Sequence, residues 1–509
     1  MNYPVWELGF GPGLLIAIVA VLHVFVSHFA IGGGLFLTVT EYFAVRRNDE
    51  TLLSYLKLHS RFFALLTLVF GAVTGVGIWF TMGLINPAAT SSLIHLFVWF
   101  WALEWIFFLI EVASAVVYYS TWGRISQVEH FKVGAVYIVS SLMSLVVING
   151  ILTFMLTPAD WPDTRNIWGA FFNQTYLPSF LARCAICIAL AGIYALITGS
   201  AVKVPHTKYF LRRYAAGWAF AGILAAVPAY YFYYNQLPLG INELLAGTLP
   251  TSLTATQVLL ACGLILMAVT LIPVLWPGRF PLGAAIMLAL VALITFGASE
   301  FIRESVRKPW VIAGYMYGNS LRPDEYAALA EKNGLLPNAI WVRNRKAVAS
   351  EQAGEDVFRI ACRNCHALDG YKGLRKSLTG MDERFVEEVA ARLQYLRGKM
   401  PPFAGTGMER RALAAYLIAQ TDQAAKPVSG AEVFSKRCNI CHTIDGGYRA
   451  LYPLLRQHTT ESLEKRIPTL GQWQKKMVPY TGTEEETRML AEYISSWYEK
   501  ETQAGKGER

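Results

Sequence analysis

The residues best equipped for chemistry lie near the end of the chain. Cys362, Cys365 and His366 form one Cys-x-x-Cys-His motif, and Cys438, Cys441 and His442 form another 76 residues later. Two thiols and an imidazole on one helical turn suit covalent heme attachment, the thiols adding to vinyl groups and the His serving as proximal iron ligand. A distal ligand is expected downstream. Met400 in KMPPFAGTG and Met477 in KMVPYTGTE follow their motifs at nearly equal distance, each beside a proline-containing loop. A His/Met pair raises the potential of the iron and leaves no open position, so both centres read as electron carriers, each built on one heme c. Zinc knuckles and redox dithiols share the Cys-x-x-Cys spacing, but His adjoining both motifs and a Met-Pro loop after both favour heme.

The duplication is wider than the motifs. GEDVFRIACRNCH parallels GAEVFSKRCNICH, and AAYLIAQ parallels AEYISSW, so each copy reads as a helix, a Met-bearing loop and a closing helix. Two small all-α cytochrome c domains in tandem are expected, at 350–424 and 425–502, after a linker at 316–349 and before a short tail at 503–509.

What must position these units is strongly apolar. The chain is 54% hydrophobic yet carries a net charge of +9, and the charge crowds the portion beyond about residue 303. Eight apolar runs, approximately 12–43, 61–85, 93–121, 133–157, 179–202, 212–234, 255–275 and 281–302, are long enough to cross a bilayer as helices. The expected fold class is therefore all-α, a polytopic bundle of about eight transmembrane helices over 1–315 followed by the two small domains. The first run is too long for a signal peptide and lacks a basic flank and a small-residue cleavage site, so it reads as a retained span.

One set of alternate loops holds Arg46, Arg47, Lys57, Arg61, Arg124, Lys132, Lys203, Lys208, Arg212, Arg213 and Arg279, whereas Arg165 is nearly alone on the other side. The positive-inside rule then puts the N-terminus and the tail outside, in the periplasm of a bacterial inner membrane. No nucleic-acid partner is expected. Cys184, Cys187 and Cys262 lie inside apolar runs, where they read as packing rather than as a disulfide framework.

Ionisable groups within spans are costly and invite a functional reading. They include His23 and His28 in the first span, Glu104 and Glu111 in the third, and Glu300, Arg303 and Glu304 closing the eighth. His23 and Glu104 fall at similar depth, roughly 16 Å below the outer surface, so they could share a pocket. Glu111 lies two turns deeper than Glu104 on nearly the same face, a spacing suited to passing protons. His28 reads as hydrogen-bonded to a neighbouring helix, Glu300 and Arg303 as interfacial, and His59, His95, His130 and His206 as solvated or capping groups near span ends.

Several stretches together resemble a family. LLIAIVAVLHVFVSHFAIGGGLFL, FALLTLVFGAVTGVGIWF, WALEWIFFLIEVAS, GRISQVEHFK and RESVRKPW are similar to subunit I of cytochrome bd-type oxygen reductases, over approximately residues 10 to 315. The similarity is best in the first four spans and the closing motif. It implies an oxygen-reducing centre with two non-covalent hemes, b or b plus d, near the periplasmic face. His23 matches the axial His of the oxygen-binding heme, and Glu304 matches the Glu ligand of the second. Arg307, Pro309 and Trp310 match the family's signature, with Arg307 balancing heme propionates or Glu304, and Trp310 beside the cofactor. Glu111 matches one of two paired carboxylates in the third span, and Glu104 the other after a one-residue shift.

The departures are as informative. The family's low-spin b heme takes a His from the fifth span and a Met from the seventh, where this chain offers Cys187 or Arg183 and Leu259, so that heme is expected to be absent. The quinol-binding loop is cut to about twenty residues between 235 and 254, and the quinol site is expected to be absent too. The two c domains stand where a ninth span would be.

The resulting expectation is a membrane terminal oxidase that reduces oxygen to water with electrons from a periplasmic donor, such as a cytochrome c, arriving through its own two hemes. Glu104, Glu111 and Arg307 are its candidate catalytic residues. A reductase of another small oxidant, such as nitric oxide, uses the same machinery, and an electron-transfer subunit of a larger respiratory complex is a reading from another class. The family likeness implies other membrane subunits or a second copy in the bilayer.

Overall fold

The structure is a computed structural model and describes residues 6–238, 241, 250–331, 334–342, 351–396, 399–421, 427–444, 449–455, 458–473 and 476–504. Most of the short connection between the sixth and seventh spans, and part of the expected linker, lie outside the described residues.

Each apolar run folds as a helix, because only a helix satisfies all its backbone hydrogen bonds within its own segment in a medium that offers none. Eight helices have membrane-crossing length and composition: Pro12–Arg46, Glu50–Ile85, Val98–Ser120, Gln127–Leu156, Ile167–Ser200, Pro205–Asn235, Ser252–Leu275 and Leu282–Arg307. They match the eight expected runs and extend most of them by a turn or more. The chain is thus a polytopic, largely helical membrane protein.

The bundle core gathers the first span with the second, fifth, sixth and eighth, around Phe25, Phe29, Phe36, Phe63, Leu196 and Phe296. Small residues let these helices approach closely, the means of packing available where lipid is as apolar as the interface. A Cβ on Gly32 would stand only 1.9 Å from the Cys187 carbonyl oxygen, so the first and fifth spans meet backbone to backbone there. In the second span, residues Leu65–Gly71 form π-helical turns, a widening that often accompanies a functional position.

After the eighth span the chain forms a two-stranded antiparallel hairpin, β1 (Trp310–Ile312) with β2 (Met316–Tyr317), the only sheet among the described residues. The Ala313 amide donates to the Met155 carbonyl at 3.0 Å, fastening the hairpin to the end of the fourth span.

The tail makes two helical units, each with its own apolar core. The first surrounds Val357, Phe358, Phe385, Leu413 and Leu417. The second surrounds Val433, Phe434, Leu463, Leu490 and Ile494. In both, an opening helix crosses a closing one at a glycine. A Cβ on Gly354 would lie 2.0 Å from the Ala412 carbonyl oxygen, and one on Gly430 would lie 2.0 Å from that of Met489. Both closing helices begin with the same reciprocal cap, Thr406 with Glu409 and Thr483 with Glu486. The sequence repeat is therefore a structural repeat.

Candidate functional site

In each tail unit the Cys-x-x-Cys-His residues wrap one turn, with the His366 amide on the Cys362 carbonyl and the His442 amide on the Cys438 carbonyl, both at 2.9 Å. The histidine rings are aimed alike. His366 Nδ1 lies 3.1 Å from the Lys372 carbonyl oxygen, and His442 Nδ1 lies 2.9 Å from that of Arg449. A carbonyl can only accept, so Nδ1 carries the proton and Nε2 keeps a lone pair for a metal. Burial lowers the pKa of both rings, which favours the neutral form that ligates.

None of the four motif cysteines is in a disulfide. Burial pushes Cys362 and Cys438 up to about 12. A redox dithiol needs the opposite shift, because its reactivity depends on a stabilised thiolate. Among the described residues no three His, Cys, Asp or Glu side chains converge as a zinc site requires. The donor set fits covalent heme better than either rival. Met400 and Met477 are both half-buried, each in the loop that precedes its unit's closing helix.

Inside the bundle, His23 reaches across to the second span. Its Nδ1 lies 3.2 Å from the Gly71 carbonyl oxygen and 3.1 Å from Thr74 Oγ1. Gly71 is the last residue of the π-helical turns, and a Cβ on Gly75, one turn on, would come within 3.0 Å of the His23 ring. The glycine face makes room for the imidazole, and the same tautomer argument leaves Nε2 free.

The two acids of the third span bond to the fourth. Tyr137 Oη lies 3.0 Å from Glu111 Oε1 and 2.9 Å from the Ala30 carbonyl oxygen, and Ser144 Oγ donates to Glu104 Oε1 at 3.2 Å. The sequence did not point to a deeper cluster. His130 Nδ1 lies 2.6 Å from Glu41 Oε1, its Nε2 faces the Tyr118 carbonyl at 2.9 Å, and the Tyr118 hydroxyl donates to Glu41 at 2.6 Å. His130 is only 3% exposed, so its expected solvated role is corrected to a buried, bridging one. His59 is likewise fully buried, with Nδ1 on Thr198 Oγ1 at 2.9 Å. Glu41 could have been found as a carboxylate two residues from the end of an apolar run.

At the C-terminal end of the eighth span, Glu304 is held by two cations. Arg307 Nη2 contacts Oε2 closely, and Lys308 Nζ lies 2.8 Å from Oε1. Arg307 also donates to the Val311 carbonyl at 2.7 Å. The Glu304 side chain remains 39% exposed. Trp310 stacks on Tyr317 with centroids 4.0 Å apart. In the fifth span the Arg183 guanidinium is buried with Nη1 3.5 Å from His28 Nε2. Glu300 lies within its electrostatic reach and pairs with Arg303 at 2.7 Å.

Residues 14–232 match the family model for cytochrome bd terminal oxidase subunit I. Residues 349–417, around the first motif, match the family model for cbb3-type cytochrome c oxidase subunit III. The fold of the membrane bundle is also similar to that of a solved protein, the bd oxidase from Geobacillus thermodenitrificans. That likeness has a TM-score of 0.51 at 17% identity, covering 61% of this chain and 90% of the other. Among curated proteins none matches the chain. The family matches point to an electron-transport oxidoreductase related to bd-type and cbb3-type oxidases.

Proposed function

We propose that this chain is a terminal oxidase of the cytochrome bd type that reduces oxygen to water, drawing electrons from a periplasmic donor through its tail rather than from quinol. The observation that carries the reading is common to three histidines. His23, His366 and His442 each commit Nδ1 to a backbone carbonyl and leave Nε2 free, the state in which imidazole ligates iron. Heme, when bound, supplies the iron that carries single electrons and reduces oxygen.

The protein's own residues then have distinct tasks. Cys362, Cys365, His366 and Met400 would hold one covalent group, and Cys438, Cys441, His442 and Met477 the other. His23 and Glu304 would hold the non-covalent groups, with Trp310 beside them and Arg307 keeping the Glu304 carboxylate oriented. Protons reach Glu111 through the Tyr137 hydroxyl, and Ser144 orients the Glu104 carboxylate. A cavity of about 10 Å³ beside Tyr137 is lined by Thr38 and Tyr118 among others.

Carbon monoxide tests the reading because it needs an open iron position. The reduced protein should show a carbon monoxide difference spectrum, and His23→Ala should abolish it while sparing the c-type bands. A wild-type protein with no such shift is an electron-transfer subunit instead. The reading leaves nitric oxide as a rival oxidant, and uptake of oxygen against nitric oxide by the purified protein decides between them.

A further inference from the structure

The two tail units are not equivalent neighbours of the bundle. Both chemically important edges of the first unit face the outer end of the eighth span. Gly318, just past β2, lies under the first motif, and a Cβ there would be 3.5 Å from Cys365 Sγ and 3.7 Å from Lys308 Nζ. Lys308 is the residue whose other contact is Glu304, at 2.8 Å. Asn364, between the two cysteines, donates to Ser320 Oγ at 3.3 Å, and Ser320 in turn bonds to Asn86 at the end of the second span. From the Met400 side, Lys399 Nζ donates to Ser305 Oγ at 2.9 Å, one residue from Glu304.

The segment before the first span completes this seat. The Tyr371 amide donates to the Phe10 carbonyl at 3.0 Å, and Arg363 pairs with Glu7 at 2.7 Å. The close approach is possible because Gly370 and Gly11 both hold positive φ, +78° and +101°, where a side chain would strike the opposing backbone.

The second unit is carried on the first. Arg437, only 6% exposed at its side chain, pairs with Asp382 of the first unit at 3.1 Å, and Thr481 donates to the same carboxylate at 2.6 Å. Ile440, inside the second motif, packs against the first unit's core. Arg449 reaches the Tyr395 carbonyl at 3.3 Å. The second motif therefore abuts the first unit, as the first motif abuts the bundle.

We propose that the tail is a series conductor with a fixed direction. The unit bearing His442 takes electrons from the donor, the unit bearing His366 passes them into the bundle at Glu304, and Lys308 is the positioning residue that joins the inner motif to that carboxylate. The proposal rests on the oxidase reading above. Each delivery oxidises one reduced one-electron donor protein, and four deliveries with four protons convert one oxygen molecule to two waters.

Lys308→Met tests the order through a potential rather than through turnover. Removing a unit positive charge this close to the inner motif, and exposing it to Glu304, should make the inner c-type centre harder to reduce. Its oxidised-to-reduced ratio at a fixed ambient potential should rise by about tenfold. The outer centre should barely move, and Lys308→Arg should restore the wild-type titration. The inner centre is identified as the c-type band that survives in Cys438→Ala/Cys441→Ala and vanishes in Cys362→Ala/Cys365→Ala. Unchanged c-heme content by pyridine hemochrome shows that Lys308→Met has folded.

A shift confined to the outer band, or no shift in either, overturns the order. A kinetic arm checks the direction: in Cys362→Ala/Cys365→Ala a donor protein should still reduce the outer centre rapidly while the bundle stays oxidised. Rapid reduction of the bundle in that variant also overturns it. Failure of the oxidase reading is separable, because acidic acetone would then release no porphyrin from the bundle even where the Lys308 shift is seen.

Discussion

The tail and the bundle hold their histidines by the same chemistry over very different distances along the chain. In the tail, His366 and His442 are fixed by carbonyls six and seven residues away, at Lys372 and Arg449. In the bundle, His23 is fixed by Gly71, 48 residues away, and His130 by Glu41, 89 residues away. A locally fixed histidine survives as long as its own small unit folds. A remotely fixed one exists only when whole spans are docked, so the bundle site and the bundle's assembly stand or fall together.

The sharpest way to break this contrast is to remove one motif. Cys438→Ala/Cys441→Ala should halve the covalent heme, from two per chain to one by pyridine hemochrome, and leave the carbon monoxide spectrum of the bundle unchanged. A simultaneous loss of the bundle signal would show that the two regions depend on each other.

His130→Ala should do the reverse. Removing one partner of a buried pair typically costs about 3–5 kcal/mol, because the other is left uncompensated. Here the Glu41 carboxylate would keep only the Tyr118 hydroxyl. The bundle should unfold in detergent at lower temperature, followed by tryptophan fluorescence, while both c-type bands keep their intensity. An unchanged bundle transition would mean that the cluster does not tie the first, third and fourth spans.

Gly430→Val is smaller and confined to the tail. The added Cβ would meet the Met489 carbonyl, so the two crossing helices must separate, at a cost of about 1–3 kcal/mol. Heat should release the outer c-type spectrum first in this variant and the inner one first in Gly354→Val. Identical effects on both bands would deny that the units fold on separate cores.

The same contrast explains what could be read from the chain. Local encoding made the tail legible: the motif residues, the Met loops, the helix pair of each unit and the repeat between them are all set by residues near in sequence. The eight spans were legible because lipid imposes a length and a composition on each. Glu41, His130, Tyr118 and Tyr137 were not, since hydropathy says nothing about which helix a polar side chain will face. From sequence Arg183 reads only as a poor replacement for a heme ligand. Its buried contact with His28 depends on the first and fifth spans meeting at Gly32, a register that no periodicity within either span declares.

The weakest predicted effect lies between the two tail units and depends on pH. Burial pushes the Asp382 carboxyl up, but hydrogen bonds from Thr481 and the Phe385 amide, with the Arg437 guanidinium, outweigh it and hold the group below its usual range. A carboxyl depressed in the folded state stabilises fully above its unfolded pKa of about 3.9 and loses that contribution as pH falls through the folded value. With the side chain 41% exposed, water and salt screen the pair. The contribution should therefore stay at or below about 1 kcal/mol. Hydrogen exchange around Arg437 and Thr481 should accelerate as pH falls below about 4, beyond the solvent trend. Asp382→Asn should show the faster exchange already at neutral pH and lose the extra acid dependence, and a variant that keeps the wild-type profile would remove Asp382 from the interface between the units.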